Sequence, residues 1–184
     1  MHGYNAKNLA QSFRTVRKNT IQIAEEIPED QYGFRPTEGT RTVGESLKHI
    51  VSATGWPVRL HGERHMELKF EMFGEVMAAA AAVEATLHTK ADILKALHDK
   101  GEEFASFLDG LSDEVLAETV SFPPQAELPG KTRFEMLLSA KEHEMHHRGQ
   151  LMLVERMLGI TPHLTRHMQE RMAAMQQQKA AQGA

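Results

Sequence analysis

The stretch Lys141–Gln150, KEHEMHHRGQ, sets three of the chain's eleven histidines within five positions, inside a segment that reads as the last long helix. From Thr132 to Gly159 the apolar residues recur at Met136, Ala140, Leu151, Val154 and Leu158. That is the spacing of one helical face. Carried through the middle of the segment, the stripe lands on His143 and His147, so two imidazoles one turn apart sit where the helix should meet its core. The same phase leaves His146 on the flank and sends Glu144 to the other side.

Histidines at i and i+4 stand about 6 Å apart on one helix face. That is close enough for both to reach one metal ion at ~2.0–2.1 Å from each nitrogen. The residues alone leave a second reading open, a pair of hydrogen-bonded core histidines, although two unpartnered buried imidazoles are costly. A third ligand is available in His49, the one histidine on the core-side flank of the second helix. Three neutral imidazoles leave coordination positions for water or substrate, as an open and catalytic site requires.

His143-Glu144-Met145-His146-His147 also satisfies H-E-x-x-H, the helical zinc-protease pattern in which the glutamate activates water. Its extended form fails, with Gln150 in the glycine position and Leu153 in that of the third histidine. Glu155 lies two turns beyond His147, too far along a straight helix to share its ion, and Glu170 lies past Gly159. No edge strand is evident to hold a peptide. Two further pairs, His61 with His65 and His163 with His167, read as solvated, and His2, His88 and His98 form no constellation.

Working outward, residues 5–27 make an amphipathic helix with Leu9, Phe13, Val16, Ile23 and Ile27 on one side and Arg14, Arg17 and Lys18 elsewhere. Pro28 ends it, and Tyr32, Phe34 and Pro36 pack the connection across the end of the fold. Thr42 with Glu45 starts a second helix, Thr89 begins a third with Asp92 three residues on, and Thr132 with Glu135 starts the last; the first and last have capping-box spacing. Gly55 and Pro57 imply a break in the second helix, and Gly110 suits the end of the third. Residues 61–88 are ambiguous. MELKFEMF alternates like a strand, whereas the following AAAAAV run favours helix, so one or two helical pieces are expected. Ser112 caps a short turn, and a proline-rich loop leads into the last helix. The fold class is therefore all-α, a four-helix bundle with a long crossover between helices 2 and 3. Residues 1–160 form the bundle; residues 161–184 form a helical extension that frays into a disordered tail from Gln176.

Composition bounds the function. With 184 residues, 41% hydrophobic and 25% charged, the chain can bury a core as one domain. A net charge of -4 disfavours nucleic acid as the main partner, leaving only a local patch from Arg14, Arg17 and Lys18 for it. The absence of cysteine removes disulfides, thiolate ligands and a cysteine nucleophile. No secretory signal or membrane segment is read, so a cytoplasmic protein is expected.

Two elements in order, YGFRPTEGTRTVGESLKHI (Tyr32–Ile50) and HEMHHRGQL (His143–Leu151), resemble the DinB/YfiT-like superfamily. These are damage-inducible, metal-binding four-helix bundles, distinct from the translesion polymerase that shares the name. The resemblance spans about Ala6 to Gly159. It implies metal ligands at His49, His143 and His147, zinc or nickel with iron as a further option, Glu144 outside the ligand set, and a homodimer. It also implies thiol-dependent transferase- or isomerase-like chemistry with a low-molecular-weight thiol as one partner, and a metal ion of this kind equally suits hydrolysis of a small molecule. A zinc protease centred on Glu144 and a non-catalytic, stress-related metal-binding scaffold are the alternatives.

Overall fold

A computed structural model describes residues 3–182; His2 lies outside them. In chain order the helices are α1 (Ala6–Glu26), α2 (Val43–Ala53), α3 (Gly55–Gly62), α4 (Glu71–Ala85), α5 (Lys90–Asp109), α6 (Asp113–Ala117), α7 (Arg133–Met157) and α8 (His163–Gln182). A hairpin of β1 (Thr119–Ser121) and β2 (Gly130–Thr132) precedes α7. The long helices begin where local chemistry sets them. Asn5, Thr42, Thr89 and Thr132 each accept a bond from the third amide of their helix, and Asn8, Glu45, Asp92 and Glu135 bond back to the cap. Each box satisfies two amides that helix geometry leaves unpaired.

Helices α1 and α2 each pack against both α5 and α7, closing a four-membered ring. Its interior divides into two apolar clusters. One holds Ile23, Ile27, Leu47, Ile50, Leu97 and Leu151. The other holds Leu9, Phe13, Phe104, Leu108 and Leu137, with Phe13 and Phe104 meeting edge to face at 4.7 Å.

Between the clusters lies a charged residue. Arg17, expected on the polar side of α1, is only 4% exposed. Its Nε and Nη2 donate to Glu144 of α7 at 2.8–3.0 Å. Nη1 donates to the Leu97 carbonyl of α5 at 2.8 Å, and Nη2 reaches the Ile50 carbonyl of α2 at 3.4 Å. One guanidinium thus touches all three other helices of the ring. Helix α5 makes room for it with Gly101, where a Cβ would stand 2.7 Å from Arg17 Cγ. Arg14 is also committed, to Glu102 and Asp109. The basic patch read for Arg14, Arg17 and Lys18 is therefore not presented, because two of its three charges are already paired.

The ambiguous crossover resolves into both of its readings. Met66 and Leu68 make strand-like bonds to Ser121, and the alanine-rich part becomes α4. The proline-rich loop carries the small hairpin that its short apolar pattern did not announce. Gly130 is required there, because a Cβ would approach the Val120 carbonyl to 2.5 Å. The apparent break in the second helix is real: the chain turns at Thr54 and continues as α3.

Helix α8 continues to Gln182, past the expected fraying point at Gln176, since the intervening Gln, Lys and Ala are good helix formers. Only its first residue, His163, is buried. That ring contacts Asn19 at 3.2 Å, and Arg166 pairs with Glu26 at 2.6 Å. His163 is thus not solvated as read, because the chain folds back over α1 at that point. Nearby, Glu155 is fully buried and neither of its oxygens has a hydrogen-bond partner. Burial, reinforced by the charge of Glu26, pushes its carboxyl from 4.5 up to about 7.

Two stability outcomes follow from these buried groups. Gly101→Ala gains about 1 kcal/mol of intrinsic helix propensity but displaces Arg17. A net loss of about 1–3 kcal/mol is expected in urea unfolding. For Glu155 the folded state holds its proton more tightly than the unfolded chain. Stability is therefore highest below the unfolded value and falls as pH rises from about 4.5 through about 7. Replacing it by leucine should stabilise the protein on the order of 1–3 kcal/mol more at pH 8 than at pH 4; equal gains at both pH values would contradict this assignment.

Candidate metal centre

Helix α2 carries His49 and helix α7 carries His143 and His147, and the ring packing brings the three together. His49 Nε2 lies 3.1 Å from His143 Nε2, which lies 3.2 Å from His147 Nε2. The ring centroids are 4.6–4.9 Å apart and every pair is nearly perpendicular. Tetrahedral ligation at ~2.0–2.1 Å separates ligand nitrogens by about 3.4 Å, so this spacing suits one ion. The three form the group of histidine or acidic side chains that can share a metal among the described residues.

The outward nitrogens fix which lone pairs face inward. His147 Nδ1 lies 2.8 Å from Gln150 Oε1, an acceptor, so the proton sits on Nδ1 and Nε2 presents its lone pair. The Gln150 amide nitrogen in turn meets His146 Nε2 at 3.1 Å. Gln150 therefore has a role the sequence left unassigned: it orients a ligand on its own helix. Glu84 of α4 accepts from Ser52 Oγ at 2.7 Å and stands 3.9 Å from His49 Nδ1. It is placed to favour the same outward-proton tautomer on the second helix.

All three rings are held neutral. Burial, followed by the charge of Arg41, lowers His49 to about 4. Burial is also the first cause of the lowered values of His143 and His147, although the Gln150 bond partly opposes it at His147. Lone pairs gathered on one point without protons repel, and a cation removes that repulsion. The donor set fits a divalent metal.

Glu144 does not project away from the core. It is 2% exposed, in line with Leu137 and Leu151 at seven-residue spacing, and it is the partner of Arg17. It stays outside the ligand set but is not incidental. Both of its oxygens accept from the guanidinium, so the base of the H-E-x-x-H reading is already engaged. Two further residues escaped that reading. Arg17 falls on the Phe13 stripe by helical phase alone, and Glu84 is a lone carboxylate in an alanine-rich apolar run; both signals were present. His61 is also buried, not solvated: Arg133 Nη1 donates to its Nδ1 at 3.0 Å. His65, His88, His98 and His167 stay away from the centre.

A cavity of about 630 Å³ opens beside His49 and His143. Its apolar lining includes Trp56, Leu60, Val76, Ala80, Phe122 and Met136. No helix is long and apolar enough to cross a membrane among the described residues.

This histidine geometry on a helical ring meets an independent result. The chain belongs to the DinB superfamily, whose profile matches residues 12–151. It is 23% identical over 161 residues to the uncharacterized protein YjoA of Bacillus subtilis (strain 168), spanning 85% of this chain and 92% of YjoA. The crystal structure of that DinB-like protein superposes with a TM-score of 0.61 at 24% identity, covering 83% of this chain and 92% of the other. An uncharacterized protein from Clostridium difficile 630 superposes at 0.64 with 16% identity, covering 85% and 98% respectively. At these identities the structural likeness concerns the fold.

The role given to Glu144 has a direct check. Glu144→Ala leaves the Arg17 charge buried and unpaired, which should cost about 3–5 kcal/mol in denaturant unfolding. The double variant Arg17→Met/Glu144→Leu should recover most of that loss. A glutamate serving only as a water-activating base would leave stability almost unchanged when removed.

Proposed function

We propose that the chain is a metal-dependent DinB-superfamily protein in which His49, His143 and His147 hold one divalent ion with open positions toward the adjoining cavity. The frame is a four-helix bundle of α1, α2, α5 and α7 comprising residues 1–160, with residues 161–184 as its extension. The observation that carries this reading is the convergence of three neutral Nε2 atoms on one point beside an apolar cavity. The all-imidazole set suits zinc or nickel, with iron also compatible. A bound ion of this kind supplies Lewis acidity toward a thiol or a water, the chemistry of S-transfer and of hydrolysis.

The chain's own residues perform the rest. Gln150 and Glu84 favour the ligating tautomer of two rings, Arg17 and Glu144 fix the spacing of α2 and α7, and the cavity gives the centre an apolar wall on one side. The substrate is a small molecule, for which a low-molecular-weight thiol is the candidate the family resemblance suggests. A homodimer, a cytoplasmic setting and a stress or DNA-damage response belong to the same proposal and rest on that resemblance alone. The scaffold alternative gives no use to the cavity, and the protease alternative lacks a free Glu144.

Elemental analysis of protein purified without a histidine tag tests the centre. About one equivalent of divalent metal is expected in the wild type, and little in His49→Ala, His143→Ala or His147→Ala. Gln150→Ala should keep the site but weaken metal affinity about 10–100-fold in a competitive chelator titration. Full retention of metal by His49→Ala would remove the cross-helix site.

A further inference from the structure

We propose that the cavity beside the histidines selects a small molecule with an apolar body and a carboxylate, the carboxylate being held next to the centre by Arg41. The inference deepens the metal-site reading and rests on it for the word "centre", but its own residues are separate.

The apolar half of the argument comes from α4. This helix is rich in alanine and methionine, yet none of its residues is buried. Its contacts are mainly with α2; Val83 packs against the core cluster, while Val76, Met77 and Ala80 border the cavity. An apolar helix face left against open space is driven to be covered. The small alanines hold that wall back from Trp56 and Phe122, so the space is wide enough for a ligand body.

The charged half comes from Arg41. It lines the cavity, and its charge acts on all three histidines. Among the described residues it closes on no carboxylate. Arg59, which also lines the cavity, is already paired with Glu63 and Glu75. Lys131 of β2 adds a second cation to the lining without an ion pair among the described residues. The one acid in the lining, Glu84, is engaged by Ser52 and faces His49. The lining therefore combines apolar walls with the exposed, unpaired charge of Arg41 near the histidines. A planar guanidinium in that position favours a carboxylate, which it can grip with two parallel bonds.

The single tryptophan of the chain, Trp56, reports on the cavity directly. Titration of the full-length protein with decanoate and with decanol, below their micellar concentrations, can be followed by Trp56 emission. It is run on metal-free and zinc-loaded protein, because a carboxylate can also bind zinc. In the metal-free protein decanoate should bind roughly tenfold more tightly than decanol. Arg41→Ala should reduce that preference to about twofold or less, Arg41→Lys should keep part of it, and Ala80→Phe should weaken both ligands by filling the space. Equal binding of the two ligands, a preference that survives Arg41→Ala, or no binding of either would overturn the proposal. A carboxylate preference in a protein that fails the metal analysis would sink the metal reading alone. Normal metal content without the preference would sink this inference alone.

Discussion

The buried pair of Arg17 and Glu144 is the interaction on which the arrangement depends. Charges are rarely fully buried unless paired, and this pair lies where two apolar clusters would otherwise meet. Its guanidinium satisfies its hydrogen bonds on three neighbouring helices, so it specifies how those helices lie relative to one another. Two of its contacts are one residue from proposed ligands: Glu144 follows His143, and Ile50 follows His49. The same side chain that joins α2 to α7 from within therefore sets the distance between histidines on the two helices. A pair of this kind adds little net stability over a well-packed apolar substitute. Its contribution is positional.

The remaining order is graded outward from that point. His49 and His143 each adjoin in sequence a residue that Arg17 contacts; Gln150 meets the outer edge of His147, and Glu84 stands 3.9 Å from that of His49. Beyond them the cavity begins, bounded by Trp56 and Phe122 on one side and by α4 on the other. The cavity sets apolar side chains beside the charged groups of Arg41, Arg59, Glu84 and Lys131. Burial keeps the imidazoles unprotonated, which suits ligation.

Much of this was legible in the sequence, and what was legible was local. The Thr42–Glu45, Thr89–Asp92 and Thr132–Glu135 pairs are three-residue patterns, and each marks a real helix start. The i,i+4 phase of His143 and His147 is equally local, and it pointed toward His49. The misread features depend on partners distant in sequence. Arg17 looked like a surface residue because Glu144 lies 127 positions away. Glu144 reads as projecting away from the core when the histidine phase is followed alone, although its spacing from Leu137 and Leu151 already points inward. His61 and His163 are buried by a strand-like connection and by a folded-back extension, neither of which periodicity reveals. The hairpin strands are three residues each, too short to produce an alternating signal.

Helix α4 has a consequence of a different kind. It is joined mainly to α2 and contributes no buried residue, with Met72 and Val83 alone packing against core clusters, so substitutions at its other apolar positions change the fold's stability little. Helices α2 and α7 are the opposite, since their inward positions carry the core residues Leu47, Ile50, Leu137 and Leu151 together with Glu144 and His147. On the proposed function, a lineage of such proteins could change the cavity wall by drift in that helix while the three histidines stay in place. The boundary between what can vary and what cannot runs between α4 and α2, at Glu84, which bonds Ser52 and stands 3.9 Å from His49.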